Sequence, residues 1–245
     1  MIFNQYITAF LQRRLFTFAF LKEKAMNTNF DILKEKFKNV YFITGLAYAG
    51  KSTMVKRLAE KHGGIACEEN WHDNWDGQLT VDQFPALCYT RDLVDWHDFV
   101  RRSPDEYAQW IKDVSLECEK IELMMLPDIA DQGKPVFVDT NIAPETLHRI
   151  SDSEHVLIML APIDISVKRF FDRPDREKQF LYRLMLEEAD PQAALDNFRK
   201  CLEKINSQEN YDYYKNCGFP VIYRDENRTI EQTLALVEKS FKLDK

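Results

Sequence analysis

The stretch that decides the fold is Val40-Tyr41-Phe42-Ile43-Thr44-Gly45-Leu46-Ala47-Tyr48-Ala49-Gly50-Lys51-Ser52-Thr53. Its first part is an apolar run rich in β-branched and aromatic residues, the composition of a buried strand. Its second part reads Gly45-x-x-x-x-Gly50-Lys51-Ser52. Helix formers continue from Lys51 to His62, with Met54, Val55, Leu58 and Ala59 on one side, and Gly63-Gly64 stops the helix.

Strand, glycine-rich turn and helix in this order are the setting in which the Walker A pattern has chemical meaning. Backbone N–H groups of the turn and the unpaired N–H groups opening the helix converge on one spot and favour negative charge. The spacing therefore predicts that Gly45, Leu46, Ala47, Tyr48, Ala49, Gly50, Lys51, Ser52 and Thr53 wrap the phosphates of a nucleoside triphosphate, ATP with Mg²⁺ as cofactor. Lys51 supplies a cation for the outer phosphates, and the Ser52 hydroxyl is a ligand for Mg²⁺. The competing structural reading is a chance Gly/Lys turn between a strand and a helix.

Working outward, Pro135-Val136-Phe137-Val138-Asp139 is an apolar strand ending in a carboxylate, which reads as Walker B with Asp139 on the metal. Thr140 stands next, where many ATP-hydrolysing motors carry a Glu, and neither N-K-x-D nor D-x-x-G occurs. Between the two motifs, a short strand from Gly64 to Cys67 runs into Glu68-Glu69-Asn70-Trp71-His72-Asp73-Asn74-Trp75. Ligands sit at the carboxyl ends of strands in an open parallel sheet, so this segment should share a rim with the glycine loop. Glu68 or Glu69 is the expected base for an acceptor hydroxyl, Glu68 being favoured as the nearer to the strand, with Asp73 behind them. Trp71 and Trp75 are read as an apolar wall for the acceptor, or alternatively as core.

Residues 71–133 are otherwise expected to form a helical substrate region. Ser103-Pro104-Asp105-Glu106 carries a capping box, and Tyr107, Trp110, Val114, Cys118, Ile121 and Met125 make an apolar stripe that Pro127 and Gly133 should end. Arg91 is the cation of this region picked out for an anionic substrate. A fourth strand, His155 to Pro162, leads into residues 166–183, where Lys168, Arg169, Arg173, Arg176, Lys178 and Arg183 surround Pro174. That density predicts a lid, with Arg173 and Arg176 as catalytic cations, although interleaved acids also suit an ion-paired surface helix. Asp190-Pro191 starts another helix, a fifth strand spans Phe219 to Tyr223, and Thr229-x-x-Gln232 caps the last helix. This alternation predicts an α/β three-layer sandwich around a five-stranded parallel sheet, with a helical insertion and a lid, as one domain over 26–245.

The net charge of −7 argues against a general binder of nucleic acid or anionic membranes. Cysteines 67, 88, 118, 201 and 217 include no C-x-x-C pair, which fits a reducing, cytoplasmic setting better than disulfides or zinc. Residues 1–25 carry Arg13, Arg14 and Lys22 with no acid before Glu23. They are too short and too charged to span a membrane, and are read as a non-core extension ahead of a start at Met26, with organelle import the alternative. A homodimer stays open.

Taken together, the Walker A pattern, the Glu-then-Trp second strand, the Asp139 strand end, the arginine-rich segment and the late strand–helix pair resemble the P-loop small-molecule kinases over roughly residues 38–242. Nucleoside and nucleotide kinases are the nearest branch. Deoxyribonucleoside kinases place a Glu base after the second strand, followed by a Trp, as Glu68 or Glu69 with Trp71 or Trp75 would. Asp139-Thr140-Asn141 departs from their Glu/Asp-Arg-Ser and is closer to the Asp-x-Thr-Asn of polynucleotide-kinase-like and zeta-toxin-like kinases. The resemblance implies ATP-dependent phosphorylation of a small acceptor. The alternative is a nucleotide-binding switch or NTPase whose output is a protein contact.

Overall fold

The computed structural model describes residues 29–72, 79–172 and 176–244. The extension at 1–25, Asp73, Trp75 and Arg173 fall outside them. A first helix, α1 (Phe30–Lys36), is capped by the Asn29 side chain and leads into β1 (Val40–Gly45) and α2 (Lys51–His62). Next come β2 (Ile65–Cys67), α3 (Pro85–Asp92), α4 (His97–Val100), α5 (Pro104–Ala130) and β3 (Val136–Asp139). The second half runs α6 (Pro144–Ile150), β4 (Val156–Leu160), α7 (Ile163–Arg169), α8 (Arg176–Leu186), α9 (Pro191–Ile205), α10 (Gln208–Lys215), β5 (Val221–Tyr223) and α11 (Ile230–Ser240).

The five strands form one all-parallel sheet in the order β2-β3-β1-β4-β5. Side chains alternate across it because successive residues of a strand point to opposite faces. Phe42, Val138 and Ile158 pack with Leu33, Phe37, Leu126, Leu147 and Ile150 on one face. Ile43, Phe137, Leu157 and Met159 pack with Met54, Val55, Leu58, Val237 and Phe241 on the other. Helices thus cover both faces, which is why β1, β3 and β4 read as unbroken apolar runs.

The register sets Ile43 beside Asp139 and Gly45 beside Met159, so the β1, β3 and β4 ends lie level. The chain crosses from the β3 side to the β4 side over β1, which makes the end of β1 the topological switch point, where open parallel sheets bind ligands.

A second cluster unites α4, the start of α5, α8 and α9 through Phe99, Tyr107, Leu184, Met185, Leu195 and Phe198. The 27 residues of α5 span about 40 Å, far longer than a strand of this sheet. Its last turns pack on the sheet, and the earlier ones reach the helical cluster. The capping boxes of Ser103 and Thr229 and the Asp190 cap form as their sequences predict. Pro127 differs: it lies inside α5, which runs on to Ala130, because Asp131 still closes a bond to the Pro127 carbonyl and only the donor on Pro127 itself is missing. The short helix α10 was not anticipated, although Ser207 caps it through the Asn210 N–H.

Candidate functional site

The turn after β1 is held open by backbone conformation. Gly45 sits at φ 123°, and a Cβ there would run into the Met159 carbonyl oxygen, so both the angle and the space demand glycine. Tyr48 (φ 64°) and Gly50 (φ 94°) are also left-handed. Alternating hands of this kind turn successive N–H groups toward one point, an anion-binding concavity. Gly50 is the residue preceding α2 and offers no side chain to the first turn, so the donors that open α2 are left to another acceptor. Three contacts brace the loop from outside. Leu46 N–H donates to Met159 O (3.1 Å), Tyr48 Oη donates to Arg169 O (3.3 Å), and Arg224 donates to the Tyr48 carbonyl.

Two side chains of the first turn of α2 face the end of β3. Ser52 Oγ donates to Asp139 Oδ2 at 2.6 Å, and Lys51 Nζ lies 3.8 Å from Asp139 Oδ1 while donating to Leu46 O at 3.2 Å. Asp139 is buried, and burial holds its carboxyl above the ordinary carboxylate range; Lys51 and Ser52 oppose the shift, and the negative charge of Glu69 adds to it. A hydroxyl and an under-neutralised carboxylate are oxygen ligands suited to Mg²⁺, which commonly binds through one or two carboxylates plus phosphate oxygens. The residues therefore fit that ion. Among the described residues no group of three or more His, Cys, Asp or Glu could hold a metal by itself.

Glu68 and Glu69 both follow β2 and are exposed. The charge of Glu69 contributes to the shift at Asp139, which sets this acid near the end of β3. Trp71 packs against the core under the sheet and meets His72 edge-on at 6.2 Å, so its ring is largely structural. Arg91 ends α3 and donates to the Leu79 carbonyl (2.8 Å) and to both oxygens of Asp92 (2.7 and 2.8 Å), partners in its own segment. Arg176 opens α8 and is exposed. From the arginine-rich segment, Lys178 lies 5.7 Å from the Tyr48 ring centroid, and Arg169 borders the loop as well.

The sequence reading overlooked two features. A cavity of about 430 Å³ adjoins the loop on the β5 side, lined among others by Gly50, Thr53, Arg169, Tyr223, Arg224 and Arg228. Arg224 and Arg228 follow β5 directly, and a strand end was the available signal. The other feature is a set of carboxylates along α5. Glu117 accepts from the Ala86 and Leu87 N–H groups that open α3, at 3.1 and 2.9 Å. Glu119 accepts from Ala143 N–H and Thr146 Oγ1, at 3.1 and 2.6 Å, at the start of α6. Glu122, completely buried, accepts from Thr140 Oγ1 (2.5 Å) and from Asn141 N–H (3.1 Å) and Nδ2 (2.9 Å).

A scan against protein-family models matches no family, and a search of curated proteins finds no similar sequence. Among the described residues no helix is long and apolar enough to cross a membrane.

Proposed function

We propose that the protein is a Mg²⁺-dependent kinase that transfers the terminal phosphoryl group of ATP to a small hydroxyl- or phosphate-bearing acceptor, a nucleoside or nucleotide first among them. The observation that carries this reading is the meeting of Lys51, Ser52 and Asp139 under a loop of left-handed turns at the sheet's switch point. In this reading the N–H groups of residues 47–51 hold the phosphates, and Lys51 exchanges the Leu46 carbonyl for an outer phosphate oxygen. Ser52 and Asp139 hold Mg²⁺, which when bound offsets the charge of the transferring group. The cavity beside Thr53 and Arg224 has room for the nucleoside of the donor.

Glu69 is the base in this scheme, accepting the proton of an acceptor hydroxyl poised about 3–3.5 Å from the phosphoryl group. Arg169, Lys178 and Arg176, with Arg173, supply cations as charge shifts to the leaving oxygen. Catalysis of phosphoryl transfer needs little beyond such positioning and charge.

The test is to titrate ATP, with and without Mg²⁺, into the parent and a Lys51→Ala variant, and then to screen nucleosides, nucleotides, sugars and aminoglycosides for acceptor-dependent conversion of ATP to ADP. Tight binding by the parent, its loss in the variant and one responsive acceptor class are the expected results. A parent that binds no ATP would sink the reading. Hydrolysis indifferent to every acceptor would favour a switch whose output is a protein contact.

A further inference from the structure

We infer that Glu122 is a positioning residue of this site: from helix α5 it clamps the chain leaving β3 and the chain leaving β2 into one frame, so that Asp139 and Glu69 face the loop together. The inference rests on the kinase reading and deepens it. Glu122 touches neither the loop nor Asp139, and acts through Thr140, Asn141 and His72.

A fully buried carboxyl costs several kcal/mol in lost hydration unless donors replace the water. Glu122 gathers them from the segment that leaves β3, and packs against His72 from the segment that leaves β2. Oε2 takes the Thr140 hydroxyl, Oε1 takes the Asn141 side-chain amide, and the Asn141 backbone N–H is shared between the two. Thr140 Oγ1 in turn accepts from Ile142 N–H at 3.0 Å, which turns the chain sharply just after Asp139. On the β2 side, His72 Nδ1 lies 3.7 Å from Glu122 Oε1, and His72 Nε2 meets Cys118 Sγ at 3.2 Å, one turn earlier on α5. His72 is three residues beyond Glu69, and Thr140 is next to Asp139. One carboxyl therefore bridges the exits of two neighbouring strands, each carrying a candidate site residue.

A purely local role does not account for this arrangement. The donors that open α6 are served by Glu119, one turn away, so Glu122 is not needed as a helix cap. The same carboxyl is held protonated to about pH 7, chiefly by its burial, with the charge of Asp139 contributing. It is thus a strained choice for a position where an apolar side chain would fill the space. Groups that orient the ligands of a metal usually change its affinity roughly 10–100-fold when removed.

The test uses the full chain and reads nucleotide binding rather than turnover. ATP affinity is measured with and without Mg²⁺ for the parent, Glu122→Met, Glu122→Gln and Thr140→Val, together with amide exchange at residues 139–142 and 69–72. Glu122→Met should leave Mg²⁺-free affinity within about threefold, lower the Mg²⁺-dependent affinity roughly 10–100-fold, and speed exchange at both segments. Glu122→Gln can accept from Asn141 and donate to Thr140 Oγ1, so it should restore most of the loss. Should the Met variant fail to fold, Thr140→Val removes the hydroxyl that donates to Glu122, together with the acceptor of Ile142 N–H, and should move the same Mg²⁺-dependent quantity in the same direction. Equal losses with and without Mg²⁺, or parent-like affinity and exchange in Glu122→Met and Thr140→Val, would overturn the inference alone. A parent that binds no ATP would overturn the kinase reading as well, and so the two failures are distinguishable.

Discussion

The Gly45–Thr53 loop and helix α5 both shape the candidate site, and they do it by opposite means. The loop works with backbone: left-handed turns at Tyr48 and Gly50 orient its N–H groups, and Gly50 brings no side-chain acceptor to the first turn of α2. Helix α5 works with side chains: Glu117, Glu119 and Glu122 present acceptors to backbone donors of α3, α6 and the β3 exit, and those donors are satisfied within the fold. The first region stores binding capacity for a ligand, and the second holds the walls that locate it. Damage to the loop should therefore remove affinity outright, whereas damage to α5 should degrade geometry and stability.

The largest contrast is expected at the acceptor side. Glu69→Gln should lower acceptor phosphorylation by the roughly 10²–10⁴ typical of a lost general base, while Glu68→Gln should do little. Paired rate measurements check this, and equal effects would remove the distinction drawn from the charge of Glu69 at Asp139. Lys51→Ala should cost on the order of 10²–10³ in rate, by analogy with a lost oxyanion donor, with the thermal midpoint nearly unchanged. A variant that keeps its rate would dissolve the loop's side of the comparison.

The α5 side is sharpened by pH. Glu122 has a folded pKa of about 7 against an ordinary 4.5, so the folded chain binds the extra proton between those values. Stability should fall as pH rises from about 4.5 to about 7, by on the order of 3 kcal/mol. Asp139, His72 and Cys67 also act on this carboxyl, and the lowered pKa of buried His72 acts with the opposite sign. Comparing denaturation curves of the parent and Glu122→Gln across pH 4–8 isolates the Glu122 part, since the variant should lose that fall.

Two smaller effects complete the series. Gly45→Ala should destabilise by about 1–3 kcal/mol, because alanine is strained at φ 123° and its methyl meets the Met159 carbonyl. Glu119→Ala should cost about 1 kcal/mol, the usual loss of a helix cap, with nucleotide affinity unaltered. A larger affinity loss in Glu119→Ala than in Glu122→Met would reverse the ranking of the two carboxylates.

Much of the molecule was legible because its signals are local. A buried parallel strand must be apolar throughout, a left-handed turn must carry glycine, and a helix start must satisfy its own donors within a few residues. β1 to β4, the capping boxes of Ser103 and Thr229 and the loop at Gly45 could each be read from a short window. Glu122 left a fainter mark. It stands four residues after Cys118 and four before Leu126, on the helical face that buries, and an acid there asks for a partner. The sequence could not name that partner.

What the amino-acid order determined by itself was therefore the class of fold, an α/β chain with a parallel sheet, and the place of a glycine-bearing loop between β1 and α2 within it. Only the tertiary structure decided the strand order β2-β3-β1-β4-β5, the nearness of the Glu69 charge to Asp139, and the place of Glu122 between the exits of β3 and β2. The physical reason is range. Propensity, periodicity and capping act between residues a few positions apart, whereas Ser52 and Asp139, or His72 and Glu122, are neighbours because the sheet and α5 packed them together.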